Sequence, residues 1–497
     1  MDDAAGGRPP EALARTAAGA FGWSYLNTVV SKLGTLLVGV ALARILGPDE
    51  FGTFAVAMVA LLAVLSFNEL GVSLAVVRWE RDPSMILGTV NAVSTAGSVL
   101  LFAVLYVTAA PLARLLGAPD AAGIIQLMSV SVVFSGVVAG PAALLQRQFR
   151  QRRRMAIDQI VAWSGAATSL ALALTGAGAW SLAGGRVLAT LIGVVLFLHA
   201  TGPYRWQVDG TLVRPLLSFG LPLAGASIVV FAVGYVEQVA VGAVLGATAL
   251  GYFVLAFNLA SWPVTMFSQP LRNVAPAVFS RLQGDRAAMN DSFTTMLRAV
   301  AVVTLPVCLV GAAAAEDVVR FVYGEEWAPA ADVFRVLVLV AALRILFELS
   351  YDYLVVLRRT GPLLTVQAVW LAVLAPVVVL AATSWGLVGV AVAELAVVAV
   401  VVLPLYLGML HSAGLRLAPL APAVLLPLVV ALGAAAATVL VGNRLESALL
   451  GSLAAGFLCL AAVALVVVLR PDQVRQLRAL RRAGGEPARN RVGAGEQ

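Results

Sequence analysis

Ala43-Arg-Ile-Leu-Gly-Pro-Asp-Glu-Phe-Gly-Thr-Phe-Ala-Val-Ala57 returns later in the chain as Gly242-Ala-Val-Leu-Gly-Ala-Thr-Ala-Leu-Gly-Tyr-Phe-Val-Leu-Ala256. Leu46, Gly47, Gly52, Phe54 and Ala57 fall on Leu245, Gly246, Gly251, Phe253 and Ala256 without a gap. Each copy joins two long apolar runs, and its glycines suit a tight turn that calls for positive φ. Both copies therefore link an outgoing helix to a returning one on the same side of a membrane. They open helix pairs one–two and seven–eight, so the repeating unit is six helices in one orientation. Parallel six-helix repeats are a transporter architecture, with substrate held between the halves.

The apolar runs extend outward from these turns over the whole chain of 497 residues, which is 61% hydrophobic and 12% charged. A soluble domain is near half apolar and a quarter charged. About 14 segments reach the ~20 residues a spanning helix needs: 17–45, 52–77, 85–112, 122–146, 156–175, 180–200, 215–244, 250–278, 293–315, 331–356, 362–383, 386–410, 419–441 and 446–469. The expected fold is an all-α polytopic membrane protein. A cytoplasmic tail (1–16) precedes an N-lobe of helices one to six (17–210) and a C-lobe of helices seven to twelve (211–411). Helices thirteen and fourteen (412–470), outside the repeat, and a basic tail (471–497) follow. The polar start and the long first apolar run do not fit a cleavable signal peptide.

Charge placement sets the expected orientation. With the N-terminus in the cytoplasm, inside segments hold the arginine clusters at 78–81, 147–154, 205–214, 281–286, 358–359 and the C-terminal tail. Outside stand only Arg44, Arg114, Arg320, Arg335 and Arg444. This asymmetry follows the positive-inside rule and puts both termini in the cytoplasm. The net charge of +7 is scattered among short loops rather than gathered on a soluble face, which argues against a nucleic-acid partner. Cys308 and Cys459 lie inside apolar runs and define no disulfide framework. No Walker A, HExxH or GxSxG motif occurs, so no catalytic residue, metal or cofactor is expected.

The sequence resembles the polysaccharide exporters of the multidrug/oligosaccharidyl-lipid/polysaccharide superfamily, the group of O-antigen (Wzx-type) flippases. The resemblance rests on Ala43 to Ala57, on Leu144-Leu-Gln-Arg-Gln-Phe-Arg-Gln-Arg-Arg-Arg154, and on Gly176-Ala-Gly-Ala-Trp-Ser-Leu182. A fourth stretch is Leu245 to Phe257, with Val274-Ala-Pro-Ala-Val-Phe-Ser-Arg-Leu-Gln-Gly-Asp285 after it. It implies two six-helix bundles around a central cavity, alternating access, and an undecaprenyl-diphosphate-linked oligosaccharide as cargo in a bacterial cytoplasmic membrane. It also implies membrane lipids, a polysaccharide polymerase and glycosyltransferases as partners. A drug/cation antiporter of the same superfamily is the alternative. A membrane glycosyltransferase or polymerase would need a larger outer loop than the one around Glu316 to Pro329.

Ionisable groups inside a span cost about 2.5–3.5 kcal/mol each on insertion scales and default to functional hypotheses. Four cations qualify as cavity partners for a diphosphate: Lys32, Arg186, Arg272 and Arg344. Lys32 reads equally as half of a structural ion pair, and Arg186 and Arg272 as snorkelling side chains. Arg344 has Glu348 at i+4 and Asp352 at i+8, a stripe that could neutralise itself. Of the intramembrane acids Glu69, Glu237, Glu348, Asp352 and Glu394, the candidates for proton or sodium coupling are Glu69, Glu237 and Glu348. Asn27, Asn68, Asn91, Tyr235, Gln238, Asn258 and Gln269 line a sugar path or serve as interhelical glue.

Overall fold

The computed structural model describes residues 10–68, 73, 76, 84–148, 150–202, 205–445 and 447–469. Of these, it gives the backbone alone at 10–33, 35, 67–68, 84, 151, 219, 221–224, 226–227, 229–230, 267–274, 277 and 360. Every regular element among them is helical. Helices that are apolar all round must bury that surface in protein or lipid, and in lipid a helix satisfies its own backbone.

The first element, Pro10–Asn68, turns at Gly47 (φ 70°, ψ 176°) into α1 (10–46) and α2 (48–68). Then come α3 (Ser84–Leu115), α4 (Ala122–Arg147), α5 (Gln151–Leu174), α6 (Ala179–Thr201), α7 (Gly210–Leu245), α8 (Ala247–Arg281) and α9 (Arg286–Ala313). A short amphipathic α10 (Ala315–Tyr323) and a 3-10 turn (Glu325–Trp327) lead into α11 (Ala330–Val356). Thr360–Val397 turns at Gly386 (φ 66°, ψ −153°) into α12 (360–385) and α13, which starts at 387. α13 passes through a wide π turn at Val398–Val402 and ends with Leu403–Ser412. The last two helices are α14 (Leu420–Gly442) and α15 (Ala448–Leu469). Gly246, between α7 and α8, has φ 87° and ψ −179°, so the repeated turn has one backbone geometry in both copies.

Ten helical segments among the described residues are long and apolar enough to cross a membrane, and the chain is a multi-pass α-helical membrane protein. Two of the ten, Leu36–Ser66 and Gly361–Ser412, contain the glycine turns at 47 and 386. α11 is not among them because Asp332, Arg335, Arg344, Glu348 and Asp352 recur along its length.

The chain forms two compact units. The first comprises residues up to Gly47, Ala60–Ala109 and Ala122–Ala224. Within it α6 packs on α4 and α5 through small residues. A Cβ on Gly185 would strike the Ser169 hydroxyl and come 2.7 Å from the Gly165 carbonyl oxygen, so only glycine lets these backbones approach. The segment before α7 is stitched to the start of α3. The Gln207 amide donates to the Gly88 carbonyl (3.4 Å), the Asp209 amide to Thr89 Oγ1 (3.1 Å), and Asn91 Nδ2 to the Arg205 carbonyl (3.0 Å).

The second unit comprises Pro48–Val59, Ala110–Ala121 and Gly225 onward. α11 packs on α8 and α9, and α14 on α9 and α15. Near the end of α11, Tyr353 is fully buried against Phe279 and Phe293, and its hydroxyl meets Asn290 Oδ1 at 2.6 Å. Ahead of α11, Arg320 on α10 holds Glu316 and Glu325, each at 3.1 Å.

Candidate functional site: a buried carboxyl pair beside Arg344

Polar groups survive inside an apolar helix only where other polar groups meet them. In the second unit such a meeting joins α7, α11 and α13. Glu237 on α7 and Glu394 on α13 are each 4% exposed, and their carboxyl groups lie within hydrogen-bonding reach of each other. Ala391 and Ala393, beside Glu394 on α13, are buried as well.

Arg344 on α11 supplies the positive charge that reaches both carboxyls. Its guanidinium carbon lies 5.9 Å from the centre of the Phe257 ring, a cation–π placement that holds the side chain against α8. Gln238, beside Glu237, is 6% exposed. Oε2 of Glu394 and Oε2 of Glu348 are both buried with no hydrogen-bond partner among the described residues. The π turn of α13 begins four residues after Glu394, and such wide turns often occur at functional sites. Arg344 thus faces two buried acids from neighbouring helices. Among the described residues no group of three His, Cys, Asp or Glu side chains is placed to hold a metal ion.

The structure thus brings together two of the sequence-derived candidates, Arg344 and Glu237. No ion pair or hydrogen bond joins Arg344 to Glu348 among the described residues, and the acids its charge reaches are Glu237 on α7 and Glu394 on α13. Arg186 lies in the first unit, on α6, with its Nε buried and without a hydrogen-bond partner among the described residues. Glu69 and the side chains of Lys32 and Arg272 lie outside the described residues.

Sequence reasoning did not select Glu394, because nothing in local spacing ties it to Glu237. It also passed over Arg298 on α9, whose Nε is buried and without a hydrogen-bond partner among the described residues. Both have one signal in the sequence, a charge within an apolar run. Of the sugar-path candidates, Asn91 serves as glue through its bond to Arg205, and Tyr235 stacks on Phe231 with ring centres 4.5 Å apart. The side chains of Asn27, Asn68 and Gln269 lie outside the described residues.

An all-α bundle of membrane helices with a buried charge cluster defines the class, a polytopic membrane protein with a transporter fold. Solved structures share it. The lipid II flippase MurJ in an inward closed conformation matches with a TM-score of 0.75 at 12% identity, over 90% of this chain and 100% of that one. An inward-facing multidrug resistance MATE family transporter of the MOP superfamily matches at 0.61 and 13% identity, over 77% of this chain and 95% of that one. The chain belongs to the polysaccharide biosynthesis protein family, whose pattern matches residues 41–332. It is 28% identical to the succinoglycan biosynthesis transport protein ExoT of Rhizobium meliloti over 66% of this chain and 67% of that protein. It is 22% identical to the lipopolysaccharide biosynthesis protein WzxC of Escherichia coli, over 65% of this chain and 66% of that protein.

Proposed function

We propose that this protein is a flippase that moves a polyprenyl-diphosphate-linked oligosaccharide across a bacterial cytoplasmic membrane for surface polysaccharide assembly. The observation that carries the reading is the Glu237–Glu394–Arg344 cluster inside a helical unit of a polysaccharide biosynthesis family member. Buried ionisable groups in membrane helices mark ion and substrate paths. In this reading Glu237 and Glu394 exchange the proton that drives the cycle, with Glu348 and Glu69 as further acids. Arg344, Lys32, Arg186 and Arg272 meet the diphosphate, for which arginine offers a two-pronged fork and lysine a point charge. Transport follows alternating access between lobes 17–210 and 211–411 in a fourteen-span topology with both termini cytoplasmic. A polymerase and glycosyltransferases act beside it, and no enzymatic step is assigned to this chain.

The fold likeness to a multidrug transporter keeps the drug/cation antiporter as the second reading. The α14–α15 pair beyond the two lobes favours the lipid cargo. The deciding experiment is depletion in the native bacterium. Lipid-linked glycan accumulates on the cytoplasmic leaflet if the flippase reading holds. Normal surface polysaccharide with altered drug efflux would replace it by the antiporter.

A further inference from the structure

Residues 205–209 lead into α7 from the end of α6, and one side of this extended segment is fixed to α3. Its hydrogen bonds to Gly88, Thr89 and Asn91 run along the first turns of that helix. Gly88 lets the segment lie close, since a Cβ there would come 2.9 Å from the Gln207 Cβ and 3.3 Å from its amide nitrogen. At the far end the Asp209 carboxylate receives the amide and the hydroxyl of Thr211, in the first turn of α7. Leu216 then enters a core with Val76, Ile86, Val90 and Ala143, and Leu212 packs on it. All of these residues belong to the first unit. The segment therefore has a fixed backbone and an occupied inner side.

Its outer side is apolar. Side chains alternate across an extended chain, so with Gln207 toward α3, Trp206 and Val208 face away from it. Trp206 is 56% exposed and Val208 62%. Both lie just beyond the spanning segment Ala179–Thr201, and Met85, also 62% exposed, opens the spanning segment Met85–Leu115. These side chains thus stand at the level where helices leave the hydrocarbon, a level that indole rings favour. Arg205 and Arg214 flank them, and both are exposed. Arg147 closes α4 at the same end of the unit by donating to the Val76 carbonyl (2.8 Å), and the exposed Arg150, Arg152 and Arg153 follow it.

Apolar side chains set among arginines at the membrane boundary match a leaflet with anionic headgroups. Its acyl chains cover Trp206 and Val208, and its phosphates meet the arginines. We propose that residues 205–209 are a docking strap that inserts Trp206 and Val208 into the boundary of an anionic leaflet. Because the strap is bonded to α3 and capped onto α7, its insertion fixes the depth at which α7 begins. This docking does not depend on the cargo assigned above.

Nitroxide labels on the full chain in nanodiscs, with Cys308 and Cys459 replaced by alanine, test it. Separate proteins carry Gln207→Cys and Val208→Cys. Collision with oxygen, which concentrates among acyl chains, outweighs collision with a water-soluble nickel chelate at 208, and the order reverses at 207. Replacing phosphatidylglycerol by phosphatidylcholine shifts the Val208 label toward the chelate by about fivefold for each arginine engaged. Arg205→Gln with Arg214→Gln reproduces that shift in phosphatidylglycerol. If the labelled proteins do not fold, brominated lipid gives a second reading, since it quenches more of the parent's emission than of the Trp206→Phe variant's. Equal chelate access at 207 and 208, or quenching unchanged by Trp206→Phe, overturns the strap. A Val208 label indifferent to headgroup charge overturns the anionic assignment. A label shielded in native membranes but open to the chelate in nanodiscs overturns docking to lipid in favour of a protein partner.

Discussion

The ring of Phe51 stands edge-on to the indole of Trp327, with centroids 5.5 Å apart and planes at 88°. Tyr252 presents an edge to the same indole at 5.9 Å and 89°. Trp327, in the turn ahead of α11, thus receives a ring from the start of α2 and another from the start of α8. Truncating a packed aromatic typically costs about 3–5 kcal/mol. Trp327→Ala is expected to lower the thermal unfolding temperature of the detergent-solubilised protein by several degrees, and Trp327→Phe to retain most of it. A Trp327→Ala protein as stable as the parent would show that the aromatic cluster holds nothing together.

Glu237→Gln and Glu394→Gln should each preserve the fold, because an amide can donate to the remaining carboxylate. Neither variant can pass a proton between the two positions. Glycan export driven by a proton gradient is expected to fall at least tenfold, about 1.4 kcal/mol in the limiting step. Full export with unchanged gradient dependence in the double variant would remove the pair from the transport cycle.

Removing Arg344 leaves two buried acids without their cation. Stranding buried acids without a nearby positive charge is destabilising. Arg344→Met is therefore expected to unfold at lower temperature, and adding Glu394→Gln should return part of the loss. A double-mutant cycle on thermal stability reads the coupling directly, and an additive result would mean that Arg344 and Glu394 do not interact.

The stitch between α3 and the segment before α7 gives a fourth expectation. Asn91→Ala should speed amide hydrogen exchange at residues 205–209 while leaving α5 and α6 unchanged. Asp209 adds a pH dependence to the same segment. The hydroxyl and then the amide of Thr211 donate to its carboxylate and hold it below the ordinary value of 3.8. A lowered folded-state value contributes order above pH 3.8 that is lost as pH falls through it. Exchange at the start of α7 should rise below that pH, and Asp209→Asn should abolish the acid-dependent step.

Much of this architecture was legible in the chain. Gly47 and Gly246 announce the repeated turn because few other residues hold φ near 70–87°. The apolar runs fall on helices because in lipid no other open element satisfies its backbone. Arg344 and Glu237 stand out as charges in apolar surroundings. Their partnership was not legible, since it depends on how α7, α11 and α13 lie against one another. An i+4 rule favours Glu348 as the partner of Arg344, but helical spacing describes only one helix. The π turn after Glu394 likewise depends on tertiary packing, which local pattern does not encode.

Where α9, α14 and α15 converge, Val310, Ala314 and Ala455 are buried together with Ala434 and Cys459 packed on them. Asp317 of α10 fills the space that a Cβ on Gly451 would take. The closing helices are thus fitted as a built-in collar, keeping that stretch of α9 out of the acyl chains. A shortened protein ending before residue 420 would hand this strip to whatever lipid surrounds it, making its stability newly sensitive to bilayer thickness and tail saturation.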